Sequence, residues 1–408
     1  MSPSVCAAMR ASSSTPSYHE PTCDATTRDA CLARKSARII DALRRVTTTR
    51  GNGDSLTVER AVSNVESFRS RARFQIVRRT DGDGEDDDED GSSLSYAMWD
   101  GGGPNVMVED FPMATEGIRR AMPRTLRALQ RRRQGSVVSD GLEAAHFLAS
   151  VWEGSVLITL VYSKPIDAEA WLREAREMCG EIGERVEMVG RSKGVVARTG
   201  RDHVVETYEV GDDKRLLSYK HTEGAFSNPN RDVTIATMEF LCSCARGFGA
   251  ADASLLEMYC GNGNHTCALA SEFKRVVAVE INPKLVDAAR ESCAMNGVTN
   301  AEIVLADSQH VSKRLTRRQF TDATGASVSP KDFAAVLVDP PRAGLDDDTL
   351  KLVAEFEHVL YVSCGPENFF RNFETGLAQT HAIERFVILD HFPLTQHVEI
   401  AAYMKRVV

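Results

Sequence analysis

The sequence predicts an α/β fold with a doubly wound parallel sheet, preceded by a smaller α+β region. From residue 255 onward, short apolar runs alternate with stretches of helical length, the order that places helices on both faces of a parallel sheet. Two of these runs, residues 334–338 and 359–363, end in breaker sequences that begin with Asp339 and Cys364. Open α/β sheets bind ligands at the carboxyl ends of their strands. We therefore expect Asp339 and Cys364 to lie on one ligand-binding edge.

Composition limits the class of protein. The chain has 408 residues, 42% hydrophobic and 26% charged, which is enough for two domains and a tail. No apolar run approaches the roughly 20 residues that a membrane span needs, so no membrane partner is expected. The ten cysteines are too few and too irregularly spaced for a disulfide framework or a metal cluster. We expect a reducing compartment, no metal and a monomer.

The net charge of −9 would by itself disfavour a nucleic-acid partner. Eight of the acidic residues, however, lie within residues 81–90, and such a run repels itself and is predicted to be a solvated loop. Local patches are therefore a better guide to the binding surface than the total charge.

The N-terminal residues have two distinct characters. Residues 1–27 are rich in Ser, Thr and Ala, which fits either a disordered tail or a chloroplast or mitochondrial transit peptide. Without such a signal, the cytoplasm is the expected compartment. Residues 28–47 carry apolar side chains at helical spacing between basic ones, which predicts an amphipathic helix that packs on another part of the protein.

A strand with an arginine-rich face is predicted over residues 68–78. Arg69, Arg71 and Arg73 fall on one face, where like charges repel one another unless an anion meets them. A solvated strand face is one interpretation, and an RNA phosphate backbone is the other. Residues 142–210 then read as mixed strands and helices, without a catalytic constellation.

The C-terminal half alternates regularly. Strands are predicted at 255–259, 276–280, 301–306, 334–338 and 359–363, with helices at 265–273 and 283–296. The chain closes with two strands, 383–389 and 398–404, which predict a terminal antiparallel hairpin.

A glycine loop between the first strand and helix predicts a nucleoside-containing cofactor. Gly261 stands in a Gly-x-Gly loop, and Glu280 lies at the tip of the next strand, where a carboxylate can bind ribose hydroxyls. Position 266 is Thr instead of the third glycine of a dinucleotide fingerprint, which favours S-adenosylmethionine, a cofactor without phosphates. Asp307 ends the third strand and either meets the adenine edge or caps a helix.

Cys364 and Glu399 suggest the reaction. If the last strand is antiparallel to its neighbours, Glu399 lies on the same edge as Cys364 and Asp339. A thiolate that adds to C6 of uracil activates C5 toward an electrophilic methyl group, and a base must then remove the C5 proton. One Cys and one Glu are the minimum equipment for this chemistry.

These residues stand in motifs that resemble those of the tRNA (uracil-5-)-methyltransferases of the bacterial TrmA type. The motifs are EMYCGNGN, VDPPRAGLD, YVSCGPE with NFET, and FPLTQHVE, with FRSRARF and VEDFPMATEGI upstream. The resemblance covers roughly residues 28–408. It implies a class I (Rossmann-like) methyltransferase domain over residues 224–408, after an N-terminal α+β RNA-binding region over residues 28–223.

The resemblance also implies roles for individual residues. Cys364 is similar to the nucleophile and Glu399 to the proton acceptor of the family. The cofactor contacts implied are Tyr259, Asn264, Glu280 and Asp339. The segment Phe68–Phe74, with Phe68, Arg69, Arg71 and Arg73, is implied to bind the T-arm of tRNA.

Two positions depart from the family pattern. Asn228 stands where the family usually has a cofactor-binding Gln, one methylene longer, and Gly365 stands where the family has Asn. The predicted function is S-adenosylmethionine-dependent methylation of a T-loop uridine at C5. Two alternatives remain, the same chemistry on ribosomal RNA and a tRNA-binding folding factor with little catalysis. The ribosomal enzymes often carry a cysteine cluster and an OB-like domain, neither of which the sequence indicates.

Overall fold

The computed structural model describes residues 25–48, 56–79, 93–99, 104–132, 135–321, 325 and 327–407. The acidic run 81–90 and residues 1–24 lie outside these ranges, so the predictions of a solvated loop and of a tail or transit peptide stay predictions. The described helices are α1 (Ala25–Thr48), α2 (Glu116–Gln130), α3 (Ala168–Ile182), α4 (Arg231–Gly247), α5 (Asn264–Leu269), α6 (Pro283–Met295), α7 (Ser308–Thr316), α8 (Asp347–Val353) and α9 (Pro366–Asn372).

The strands in chain order are β1 (Val58–Val62), β2 (Arg71–Arg79), β3 (Ser93–Trp99), β4 (Pro104–Val108), β5 (Leu142–Ser150), β6 (Ser155–Tyr162), β7 (Val186–Ser192), β8 (Val195–Arg198), β9 (His203–Val210), β10 (Arg215–Thr222), β11 (Ser254–Met258), β12 (Arg275–Glu280), β13 (Ala301–Leu305), β14 (Phe320–Thr321), β15 (Ser327–Val328), β16 (Ala335–Val338), β17 (His358–Ser363), β18 (His381–Asp390) and β19 (Glu399–Arg406).

The larger sheet has eight strands in the order β1-β18-β19-β17-β16-β11-β12-β13. Strands β17, β16, β11, β12 and β13 are parallel, and β19 runs antiparallel between β17 and β18. The strand order reverses between β11 and β16, the switch point at which doubly wound sheets open a ligand crevice. The predicted doubly wound fold is confirmed, and the final hairpin is part of the same sheet.

Buried apolar strands explain why this sheet forms the centre of the molecule. Strands β16 and β17 are buried along their whole length, as expected for parallel strands with both faces covered. Alternate side chains of β16 contribute to two apolar cores, one containing Val336 and Val338 and the other containing Ala335 and Leu337.

A second sheet of seven strands, in the order β4-β3-β2-β5-β6-β7-β8, forms the N-terminal α+β unit. Its core includes Phe74, Phe147 and Trp171. Helices α2 and α3 contribute buried residues to that core, among them Ile118 and Met178.

Segments from both sides of the predicted division at residue 223 pack against the larger sheet. Ile39, Leu43 and Val46 of α1 lie in the core of the larger sheet, and β1 adds to that sheet beside β18. Tyr208 and Tyr219, from the β9–β10 hairpin, lie in the other core of the same sheet. Helix α1, strand β1 and the two tyrosines of the β9–β10 hairpin therefore pack with the C-terminal sheet, because an apolar face packs on the sheet that buries it and not on the sheet nearest in sequence.

None of the helices among the described residues combines the length and the apolar character needed to cross a bilayer.

Candidate active site

Three side chains predicted from separate motifs converge at one edge of the larger sheet. Asp339 follows β16 and Cys364 follows β17, which are parallel neighbours. Ser363 pairs with Ile400 across the antiparallel β17–β19 ladder. Cys364 and Glu399 are the next residues beyond this pair on their respective strands. The antiparallel insertion of β19 therefore places the proposed base beside the proposed nucleophile.

The glycine loop after β11 is built for close approach of a ligand. Tyr259 adopts a left-handed backbone conformation, with φ of 65°, which is strained for a residue with a side chain and is found mainly at functional sites. Gly263 has φ of 81°, and a Cβ there would lie 3.2 Å from Cα of Ala289. The loop can therefore follow its path only with glycine at position 263.

Glu280 is held rigidly at the tip of β12. Its Oε2 accepts a hydrogen bond of 3.0 Å from the Gly261 N–H, and its Oε1 accepts one of 2.8 Å from the Asn282 N–H. A carboxylate oxygen has more than one lone pair, so both oxygens can still accept bonds from ribose hydroxyls.

The β9–β10 hairpin forms hydrogen bonds to the glycine loop and to the start of α5. The Tyr219 hydroxyl donates a 3.0 Å hydrogen bond to the Asn264 carbonyl, and the Asn262 amide donates one of 3.3 Å to the Lys220 carbonyl. Asn264 is thus fixed through its backbone at the start of α5.

Asp307 lies at the tip of β13 and caps α7. Its Oδ1 accepts a 2.9 Å hydrogen bond from the His310 N–H. Of the two roles considered for Asp307, the structure displays the capping one, and the adenine contact stays a prediction.

Asn228 and Glu399 both lie close to His391. Its Nδ2 is 3.4 Å from Nε2 of His391, and the same Nε2 is 3.5 Å from Oε2 of Glu399. The backbone carbonyl of His391 accepts a 3.0 Å hydrogen bond from the Asn230 amide. The side-chain amide of Asn228, although one methylene shorter than that of Gln, therefore reaches His391, the residue beside Glu399.

The electrostatics of the edge favour the neutral forms of Cys364 and Glu399. Burial, reinforced by Asp339 and opposed by Arg342, raises the pKa of Glu399 to about 8. Burial, then Glu399 and Asp339, raises the pKa of the Cys364 thiol to about 12, with Arg342 acting in the opposite direction. Negative groups around a buried thiol disfavour thiolate, so Cys364 is a neutral thiol near neutral pH.

A second acidic group lies behind Asp339. Glu257 is 1% exposed, and burial raises its pKa to about 7, with the neighbouring His265 opposing that shift. Nε2 of His265 is 3.5 Å from Oδ2 of Asp339. Asp339 therefore raises the pKa of both Glu257 and Glu399, and His265 opposes the shift at Glu257.

The arginines of the N-terminal sheet border this edge. The guanidinium of Arg69 lies 5.6 Å from the ring centroid of Phe392, and that of Arg71 lies 5.4 Å from the ring of Phe226. Burial, followed by repulsion from Arg69 and Arg73, lowers the pKa of Arg71 to about 9. The expected crowding of the three positive charges is therefore present.

Phe68 does not share this surface. It is 6% exposed and packs in the core of the N-terminal sheet. Alternation along the chain places Phe68 on the face opposite the arginines, and its predicted contact with RNA stays a prediction.

Sequence reasoning missed three groups that the structure brings to the site: His265, His391 and Arg342. Arg342 follows Asp339-Pro340-Pro341, and His391 lies in the loop before Glu399, so their positions beside predicted site residues were a usable signal. His265 directly follows Asn264, a predicted cofactor contact, and carried the same signal. Within the described ranges, no three His, Cys, Asp or Glu side chains are grouped to hold a metal ion.

The geometry agrees with what comparison with known proteins finds. The model of the tRNA (uracil-5-)-methyltransferase family matches residues 29–407. The chain belongs to this family. A tRNA/tmRNA (uracil-C(5))-methyltransferase of Stutzerimonas stutzeri is 36% identical over 95% of this chain and 99% of that protein. One of Neisseria meningitidis is 33% identical over 83% of this chain and 89% of that protein.

A solved member of the tRNA (uracil-5-)-methyltransferases also shares the fold. The tRNA (uracil-54, C5)-methyltransferase of Pyrococcus abyssi, crystallised with S-adenosyl-L-homocysteine, superposes with a TM-score of 0.63 over 92% of this chain and 83% of that one. The two chains are 18% identical. The family membership predicted from the motifs and the methyltransferase fold are both confirmed.

Proposed function

We propose that this protein transfers a methyl group from S-adenosylmethionine to C5 of a uridine in the T-loop of tRNA, giving 5-methyluridine. The observation that carries the proposal is the adjacency of Cys364 and Glu399 beyond the Ser363–Ile400 pair, at the same edge as Asp339. A thiol for C6 and a carboxylate for the C5 proton are what uracil-C5 chemistry requires.

The residues at the switch point fit S-adenosylmethionine. Glu280 offers two oriented carboxylate oxygens to a ribose, and the Gly261–Gly263 loop allows the adenosyl group to approach the backbone. Asp339, with its side chain 37% exposed at the crevice, is a suitable partner for a cationic ligand. We propose that Tyr259, Asn264, Asn228 and Asp307 also contact this cofactor. When bound, this cofactor supplies the electrophilic methyl group that C5 receives.

The residues of the chain then perform the steps on the base. Cys364 gives up its thiol proton to solvent, and the thiolate sulfur forms a bond to C6 as the electron pair of the C5–C6 double bond moves into an enolate that makes C5 nucleophilic. After C5 has gained the methyl group, Glu399 takes the C5 proton. The electron pair of that C–H bond restores the C5–C6 double bond as the S–C6 bond breaks and Cys364 leaves as thiolate. A pKa of about 8 makes the Glu399 carboxylate a stronger base than an ordinary glutamate.

The RNA is proposed to lie across Arg69, Arg71 and Arg73. Their mutual repulsion is relieved by a phosphate backbone, and a uridine flipped from the loop can then reach Cys364. The relative from Pyrococcus abyssi is named for uracil-54, and we propose the corresponding T-loop uridine as the target here.

The test is methyl transfer from labelled S-adenosylmethionine to purified tRNA and, separately, to ribosomal RNA. We expect labelled 5-methyluridine at the T-loop position of tRNA with the natural protein and none with Cys364→Ser. Label in ribosomal RNA alone would assign the alternative substrate. Binding of tRNA without any transfer would assign a folding factor. Full activity of Cys364→Ser would exclude the covalent mechanism.

A further inference from the structure

Lys35 of α1 forms a buried ion pair with Asp390, the last residue of β18. Its Nζ lies 2.6 Å from Oδ1 of Asp390, and the two side chains are 0% and 1% exposed. The same Nζ donates to the carbonyl of Phe392 at 3.1 Å and to that of His397 at 3.0 Å. All three ammonium protons therefore have an acceptor.

These three acceptors span one loop, residues 390–398, which joins β18 to β19. Asp390 is at its start, Phe392 follows, and His397 is two residues before Glu399. Lys35 thus draws both ends of the loop to one point. Two further bonds from α1 reach the same loop, from Cys31 Sγ to the Thr395 carbonyl at 3.3 Å and from the Arg38 guanidinium to the Gln396 carbonyl at 3.4 Å.

The loop carries the base and its neighbour. Glu399 follows it directly, and His391, whose Nε2 is 3.5 Å from Oε2 of Glu399, lies within it. Leu394 in the same loop has a left-handed backbone, with φ of 65°. A loop with such a strained residue keeps one path only when surrounding contacts determine it, and Lys35 supplies the strongest of those contacts.

Anchoring of α1 does not by itself explain a buried charge. Ile39, Leu43 and Val46 already bury the apolar face of this helix in the core of the sheet. Burial of a lysine–aspartate pair is costly, and an apolar pair of similar volume is often as stable. The ammonium group adds what an apolar side chain cannot, because its three directional hydrogen bonds fix three acceptors of the loop at defined positions.

We propose that Lys35 is a positioning residue for Glu399, which it holds at the productive distance from C5 by fixing the loop 390–398. This inference rests on the proposed uracil-C5 reaction. Because Cys364 and the cofactor crevice lie on other strands, loss of Lys35 affects proton removal more than addition of the thiol or cofactor binding. The protein therefore stalls as the covalent Cys364–RNA adduct.

The test compares Lys35→Met with Arg34→Met, a matched change at an exposed neighbour on α1, in the full chain with a tRNA transcript. For Lys35→Met we expect kcat to fall roughly 10- to 100-fold, with the dissociation constant of S-adenosylmethionine changed less than about threefold. The fraction of protein in a denaturant-stable RNA adduct is expected to rise. Arg34→Met should match the natural protein in all three measurements.

A purely structural role for Lys35 would reduce turnover and adduct together, in proportion to the folded fraction, and that result would overturn the proposal, as would unchanged kcat. If Lys35→Met does not fold, the double variant Lys35→Met with Asp390→Leu removes both charges and leaves none unpaired. It should give the same rise of adduct with loss of turnover, and full turnover by this variant would also overturn the proposal.

Two controls separate this inference from the proposed function. The natural protein should make 5-methyluridine, and Glu399→Gln should accumulate adduct. If both do so while Lys35→Met behaves like Arg34→Met, only the positioning role fails. If neither does so, the proposed function fails and this inference falls with it.

Discussion

His391 places Nε2 3.5 Å from Oε2 of Glu399, and both groups are held in neutral forms by the same burial. Burial, with a smaller contribution from His265, lowers the pKa of His391 to about 3. Burial, with Asp339, raises that of Glu399 to about 8. The usual order of a histidine and a carboxylic acid is thus inverted, so Glu399 is the group of this pair that titrates near neutral pH.

This inversion predicts the pH dependence of the reaction. Only the carboxylate form of Glu399 can accept the C5 proton, and this step follows the methyl transfer, so kcat should rise with pH through an inflection near 8. His391→Gln should show the same rise with pH, since His391, with a pKa of about 3, stays neutral over the whole pH range in which Glu399 titrates. An inflection near 6.5 that disappeared in His391→Gln would instead show that the pH dependence comes from the histidine.

Arg342 provides a second test of this pH dependence. It lowers the pKa of Glu399 and that of Cys364, because a positive charge favours the anionic form of each. Arg342→Gln should therefore move the rise of kcat with pH to higher pH and slow adduct formation at pH 7. A rise that moved to lower pH would contradict this account of the site.

Glu399→Gln should separate addition from elimination. Cys364 can still attack C6, but the amide cannot remove the C5 proton, so turnover should fall by about 10³-fold or more. A protein–RNA band should persist on a denaturing gel. Cys364→Ser combined with Glu399→Gln is the control, and a band in that double variant would show that the linkage does not involve the thiol.

Glu257 should make the protein less stable as pH rises. Its pKa is raised from the usual 4.5 to about 7, so its stabilising contribution is complete below pH 4.5 and is lost as pH rises through 7. The raised pKa of His265 acts in the same sense. At pH 8, Glu257→Gln should increase the free energy of unfolding by up to ~3 kcal/mol, with little change at pH 4.5.

Denaturant unfolding at the two pH values would measure this effect of Glu257. Glu355→Gln, at an exposed position, is the matched control and should change neither value. A destabilised Glu257→Gln at pH 8 would mean that the ionised carboxylate is needed for the fold.

Arg73 should contribute to RNA affinity through charge alone. It is exposed on β2 and adds to the repulsion felt by Arg71. Arg73→Gln should weaken tRNA binding and reduce the slope of log affinity against log salt by about 1. Arg173→Gln, at an exposed position of α3, should leave that slope unchanged, and equal slopes for all three proteins would remove Arg73 from the RNA surface.

Local patterns were sufficient for much of the larger sheet. Apolar runs closed by breakers placed Asp339 and Cys364 at strand tips, and the Gly-x-Gly spacing to Glu280 located the crevice. These signals are readable because a buried parallel strand, its turn and its cap are each encoded within a few consecutive residues.

Packing between distant segments decided the rest. The motif FRSRARF grouped Phe68 with the arginines, whereas the fold buries Phe68 in the core of the N-terminal sheet. Helix α1 packs against a sheet whose other strands, apart from β1, begin more than 200 residues later in the sequence.

By itself, the sequence determined the fold class, the family motifs and the two residues that we propose to perform the chemistry. Only the tertiary structure decided that β19 inserts antiparallel beside β17, that His391 touches Glu399, and that Lys35 meets Asp390 from 355 residues away. The physical reason is that such contacts are selected by the burial of whole faces and by the pairing of buried charges. Neither of these leaves a periodic signal in the neighbouring residues.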